Sequence, residues 1–198
     1  MRILIVTPLY PPDTAGHAPY VKELAKRLSS KHEICILIYG YIPEHVSGAT
    51  IVTIQKKLFA PLRLFQYTYT LWKLSSTADV VYVQNGASVE LPTLVVSLLS
   101  GTRFILRLAD VNALRTATTQ RFHKQLLLLV CRFVQVVLID QQVQLPLFAR
   151  IQKSKIVKIA FPQERPEILP FASYPTAAFL AYEDSWKKHE TELQNIFL

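Results

Sequence analysis

Residues 2–7, Arg-Ile-Leu-Ile-Val-Thr, run through Pro8, Pro11 and Pro12 toward the octapeptide Val21-Lys22-Glu23-Leu24-Ala25-Lys26-Arg27-Leu28. The first run is almost continuously β-branched or apolar. It lacks the alternation of a half-solvated strand, so it predicts a strand buried on both faces of a parallel sheet. In the second stretch Tyr20, Val21, Leu24, Ala25 and Leu28 share one helical face, while Lys22, Glu23, Lys26 and Arg27 occupy the other. That pattern predicts a surface helix packed on the sheet.

The same alternation continues along the chain. Strands are expected at Glu33–Tyr39, Thr50–Ile54, Asp79–Gln84, Arg103–Leu108, Val134–Asp140 and Lys155–Ala160. Helices are expected at Leu91–Leu99, as one long element within Ala117–Phe133, and as a short one at Gln144–Arg150. Strand-helix-strand crossovers are right-handed, so the expected class is α/β, a doubly wound, mostly parallel Rossmann-like sheet with helices on both faces, over residues 1–161. Pro162, Pro166, Pro170 and Pro175 then interrupt regular structure, and residues 162–198 read as a Pro-rich linker followed by a helix within Thr176–Phe197. Ligands of such sheets bind at the carboxyl ends of the strands, which directs attention to the loops after Thr7, Gln84 and Leu108.

With 51% apolar and 18% charged residues in 198, the composition excludes a disordered chain and suits one core. The apolar runs Gln125–Val130 and Val134–Ile139 are broken by Arg132 and Asp140, short of the roughly 20 residues a bilayer span needs. The beginning runs into prolines rather than into a signal-peptide pattern, so a cytoplasmic location is expected. Cys35 and Cys131 lie far apart with no metal-ligand spacing; they read as core thiols, and no metal site is expected. A net charge of +8 calls for an anionic partner: lipid headgroups, phosphorylated ligands or nucleic acid. The basic residues are scattered and form no recognition motif, which argues against nucleic acid.

The loop Thr7–Ala18 joins a buried strand to a helix start, where backbone N–H groups meet anions. It contains neither G-x-G-x-x-G nor G-K-[ST], so it is neither a dinucleotide fingerprint nor a P-loop. It resembles the opening of the family-4, two-Rossmann-domain (GT-B) sugar-nucleotide glycosyltransferases. Val21–Leu28 matches that family's helix pattern V-x-x-L-A-x-x-L, and Ala15-Gly16 stands where its glycine pair stands. More loosely, Asp79–Asn85 is similar to the family's strand ending in His-x-His, and the likeness runs on through Phe104–Asp110 to about Ile159.

The resemblance implies the N-terminal, acceptor-side half of such an enzyme. It implies that Ala15, Gly16 and His17 face the donor phosphate or acceptor, and that Gln84, Asn85, Asp110 and Asn112 line an acceptor crevice. It implies no cofactor, the nucleotide sugar being a substrate once a donor-binding domain or subunit is supplied in trans. Departures are Ala15 for a glycine, Ala109 where a histidine is frequent, and Tyr82 and Gln84 in place of histidines. Glu164, Glu167, Glu183, Glu190 and Glu192 do not reproduce the donor half's paired glutamates, and no residue is assigned as catalytic.

Lys56, Lys57, Phe59, Arg63, Phe65, Trp72 and Lys73 combine basic and aromatic side chains in a way that suits a helix lying on an anionic bilayer. The competing reading is an ordinary helix that caps the sheet. The functional expectation is therefore the acceptor-side half of a glycosyltransferase, cytoplasmic and peripheral on the inner membrane face. The alternative is a noncatalytic membrane- or protein-binding module that has kept the fold.

Overall fold

The computed structural model describes residues 1–12, 18–40, 42–109, 111–140, 149–162 and 177–198. Its strands are β1 (Arg2–Thr7), β2 (Glu33–Tyr39), β3 (Ala49–Ile54), β4 (Val80–Gln84), β5 (Arg103–Leu108), β6 (Val136–Asp140) and β7 (Ile156–Ile159). They form one sheet in the order β3-β2-β1-β4-β5-β6-β7, and every pair from β3 to β6 is parallel. The expected Rossmann-like α/β class is the observed one. In β1, Ile3, Leu4, Ile5 and Val6 are all essentially inaccessible to solvent, which is why this strand reads as a continuous apolar run.

The helices are α1 (Ala18–Leu28), α2 (Ala60–Ser75), α3 (Ala87–Leu99), α4 (Val111–Thr119), α5 (Arg121–Phe133) and α6 (Ala177–Phe197). Helix α1 buries Ala18, Val21, Leu24, Ala25 and Leu28. Right-handed crossovers place α1, which leads from β1 outward to β2, on the face opposite α2, α3 and α5. Those three form a continuous layer, α2 against α3 and α3 against α5.

Two helical expectations change. The long helix expected within Ala117–Phe133 is divided at Gln120, whose backbone is extended (φ −100°, ψ 119°). Just before it, the Thr118 and Thr119 hydroxyls donate to the Arg115 and Thr116 carbonyls, and the Gln120 N–H still bonds Thr116 O at 2.9 Å, so α4 keeps its helical bonding up to the break. Helix α3 starts four residues ahead of its expected start and holds Pro92 inside it. Pro92 has no N–H to give the Ser88 carbonyl, and the Tyr39 hydroxyl donates to that oxygen instead, at 3.1 Å. The short helix expected at Gln144–Arg150 falls mostly outside the described residues.

The described residues fall into two compact units, within Met1–Ile139 plus Leu145–Val157 and within Asp140–Gln144 plus Lys158–Leu198. In the second, α6 buries Tyr182, Trp186, His189, Leu193 and Phe197 along one stripe. His189 Nδ1 lies 3.0 Å from the Ala160 carbonyl, and its ring meets Phe161 and Trp186 edge-on.

Candidate functional site

In this strand order the chain turns one way from β1 to β2 and the other way from β1's far neighbour β4 to β5. The loops leaving β1 and β4 therefore diverge, and the gap they leave is where an open α/β sheet receives its ligand. Thr7 shapes the first loop by donating its hydroxyl to Leu9 O at 2.8 Å. Pro8 then closes against the second: a Cβ added to Gly86 would stand 2.7 Å from Pro8 Cγ, so only glycine lets the two loops approach this closely.

A buried polar cluster lies beneath that gap. Gln84 at the end of β4 is in register with Arg107 near the end of β5, so both point to the same face of the sheet. Arg107 Nη1 donates to Gln84 Oε1 at 2.8 Å, and its guanidinium carbon stacks 3.6 Å from the centroid of the Tyr20 ring of α1. The Tyr20 and Tyr82 hydroxyls are 3.0 Å apart. Arg107 is only 3% exposed, an unusual position for a charged side chain. Burial raises the Tyr20 hydroxyl above its ordinary pKa and Tyr82 well above it, with Arg107 pulling both only partly back. Both phenols therefore keep their protons near neutral pH, and Arg107 supplies the cluster's positive charge.

Neighbouring groups fix the rim. The Asn85 N–H donates to Arg107 O at 3.1 Å, and its Oδ1 accepts the Ala109 N–H at 3.0 Å, which ties the loop after β4 to the loop after β5. Tyr10, in the loop after β1, is buried, and its hydroxyl has no hydrogen-bond partner among the described residues. Burial, with Glu44 adding to it, pushes that hydroxyl up to about 12. Glu44 itself pairs with Lys22 of α1 and donates its N–H to Pro11 O.

Of the crevice residues expected from sequence, Gln84 and Asn85 are brought to this site, both fully buried. Asn112 belongs to α4, with its side chain outside the description, while Ala15, Gly16, His17 and Asp110 lie outside the described residues. Lys56 and Lys57 are exposed ahead of α2, Phe59 immediately precedes it, and Phe65, Trp72 and Lys73 are exposed along it. Arg63 instead turns back, donating to Lys56 O at 2.8 Å, with its guanidinium 5.7 Å from the Tyr39 ring centroid. Sequence reading missed Arg107, Tyr20 and Tyr10. The usable signal was one arginine inside the otherwise apolar end of Arg103–Leu108, a charge that a buried strand does not carry without a partner or a task.

No protein-family profile matches the sequence, and no curated protein matches it. Solved structures do. The chain is similar to Anabaena Alr3699/HepE in complex with UDP, at 12% identity and a TM-score of 0.60, over 81% of this chain and 44% of that one. The same protein with UDP and glucose gives 13% identity and a TM-score of 0.59, over 82% and 45%. A Listeria monocytogenes protein assigned as a UDP-N-acetylglucosamine 2-epimerase gives 11% identity and a TM-score of 0.53, over 78% and 44%. The chain thus spans less than half the length of these proteins, and it shares with them the fold of a GT-B-type Rossmann-like domain.

Proposed function

We propose that the chain is the acceptor-side half of a glycosyltransferase that moves a sugar from a nucleotide-sugar donor to an acceptor hydroxyl. In this reading a donor-binding domain or subunit completes it in trans. The observation that carries the proposal is the likeness of four fifths of this chain to under half of a protein solved with UDP and glucose. The buried Arg107 cluster at the strand ends supports it, because it sets a fixed positive charge beneath the gap where such folds take ligands.

The acceptor oxygen would attack the anomeric carbon while the bond to the nucleotide diphosphate breaks, the acceptor proton leaving as the diphosphate departs with its electron pair. Charge growing on that leaving group would be met by backbone N–H groups at Ala15, Gly16 and His17 and by cations of the donor half. Gln84, Asn85, Asp110 and Asn112 would face the acceptor. The nucleotide sugar is the substrate, and the reading calls for no cofactor. The chain would work at the cytoplasmic side, peripheral to the membrane. Among the described residues no helix is long and apolar enough to cross a membrane.

The test is sugar transfer from UDP- and GDP-sugars by the chain alone and after mixing with separately expressed donor-binding domains, beginning with any encoded beside it. Transfer only in the mixture, with weak donor binding by the chain alone, is the expected result. Multiple turnover by the chain alone would show that it needs no second half, and absence of donor or acceptor binding in every mixture would leave the noncatalytic module.

A further inference from the structure

Helices α2, α3 and α5 each expose large apolar side chains on the side away from the sheet. On α2 they form a stripe at i, i+3, i+7, i+10, Leu62, Phe65, Tyr69 and Trp72; on α3 Val95, Leu98 and Leu99 follow the exposed Ser88 toward the C-terminal end; on α5 Phe122, Leu129 and Phe133 alternate with the exposed Gln125 and Arg132. Exposure reaches 70% at Phe65 and Leu99 and 67% at Phe122. An ordinary sheet-covering helix is polar on this side. Eleven of the fifteen large hydrophobic residues exposed among the described residues lie on these three helices or, for Phe59, at the entry to α2.

The charges are one-sided. The three helices contain a single carboxylate, Glu90, and it is buried. Around these apolar side chains stand Lys56, Lys57 and Lys73 at α2 and Arg121 and Arg132 at α5, all exposed. A second copy of this face would bring like charges together with no carboxylate of these helices to offset them. An anionic bilayer answers both features, its headgroups meeting the cations and its acyl boundary receiving the aromatic and aliphatic side chains.

We propose that the whole α2–α3–α5 layer, rather than the α2 segment alone, is a seat for an anionic membrane surface. Helix α3 is the test of that extension: its outer residues carry no charge, and Val95, Leu98 and Leu99 offer apolar contact. The proposal does not depend on sugar transfer, since binding to vesicles needs neither donor nor acceptor.

The experiment is co-sedimentation of the full chain with phosphatidylcholine vesicles, with and without phosphatidylglycerol, at low and high salt. Variants are Lys56→Glu/Lys57→Glu/Lys73→Glu on α2 and Leu98→Gln/Leu99→Gln on α3, each checked for an unchanged melting curve and circular dichroism spectrum. The wild type should bind only the anionic vesicles and release in salt. The charge variant should bind at least tenfold more weakly, and the α3 variant several-fold more weakly. Wild type that ignores anionic vesicles overturns the proposal, as does a folded α3 variant that binds like wild type. So does concentration-dependent dimerisation that the same variants abolish, because a second copy would then cover the face.

Discussion

The Arg107 guanidinium stacks on the Tyr20 ring at 3.6 Å while one of its nitrogens reaches Gln84 Oε1 at 2.8 Å, so a single buried cation joins α1, β4 and β5. An aromatic face and an amide oxygen both favour the cation, and each is worth more away from water. The strand ends that carry Gln84 and Arg107 are thereby held to α1, whose start follows the loop leaving β1.

Arg107→Met should cost about 1–3 kcal/mol in urea denaturation, since it leaves the Gln84 oxygen buried without its donor. Adding Gln84→Leu should recover most of that loss, because both polar partners are then replaced by apolar groups. The two effects separate structure from function. The double variant should be stable yet bind nucleotide sugar poorly in the completed enzyme. If it binds as well as wild type, Arg107 only holds the strands.

Tyr39→Phe removes the donor that replaces the missing Pro92 N–H at the Ser88 carbonyl. It should destabilise by about 1 kcal/mol. In a Pro92→Ala background the backbone supplies that hydrogen bond, so the same change should cost clearly less. A double-mutant cycle in urea reads the difference, and equal costs in both backgrounds would remove Tyr39 from the account of how α3 tolerates its proline.

The order of elements was legible because buried parallel strands and amphipathic helices have different periods: β1 reads as Ile3-Leu4-Ile5-Val6, α1 as Val21, Leu24, Ala25 and Leu28. The division at Gln120 was hidden, since neither proline nor glycine marks it and the apolar spacing runs on to Phe133. Gln84 and Asn85 could be found from their place at a strand end. Arg107 and Tyr20 could not, because their partnership joins residues distant in sequence, and Tyr20 also fits the helix pattern as an apolar position. In α3 the sequence pattern marks Leu98 and Leu99 as apolar, but only the packing shows that they face outward.

Gly86→Ala should be costly for a local reason. The new methyl would stand 2.7 Å from Pro8 Cγ, part of a ring that cannot swing aside, so the loop after β1 must move. Overpacking of this kind costs about 1–3 kcal/mol. Gly101→Ala meets nothing within 4 Å and should change stability by less than about 0.5 kcal/mol. Comparable urea midpoints for the two variants would show that the Pro8–Gly86 approach has slack.

Alkaline pH should weaken the fold through its buried acids. Burial first, then the Glu90 charge, lifts the Cys131 thiol from 9.0 to about 12. The unfolded chain releases this proton near pH 9, whereas the folded chain holds it until about 12. Above pH 9 the folded state therefore binds more protons than the unfolded one, and stability falls as pH rises; below that value the contribution is fully present. Cys35, raised to about 11, and Tyr10, raised to about 12, act in the same direction. Cys131 alone can contribute a slope of up to about 1.4 kcal/mol per pH unit. Urea midpoints measured between about pH 8 and 10.5, a range that spans the onset of the loss, should fall for wild type and fall less steeply for Cys131→Ala. The comparison rests on slope, because the cavity left by the smaller side chain lowers stability at every pH. Parallel slopes for the two proteins would mean that the folded chain gives up the Cys131 proton as readily as the unfolded one, and that the α3–α5 packing around it is open to water.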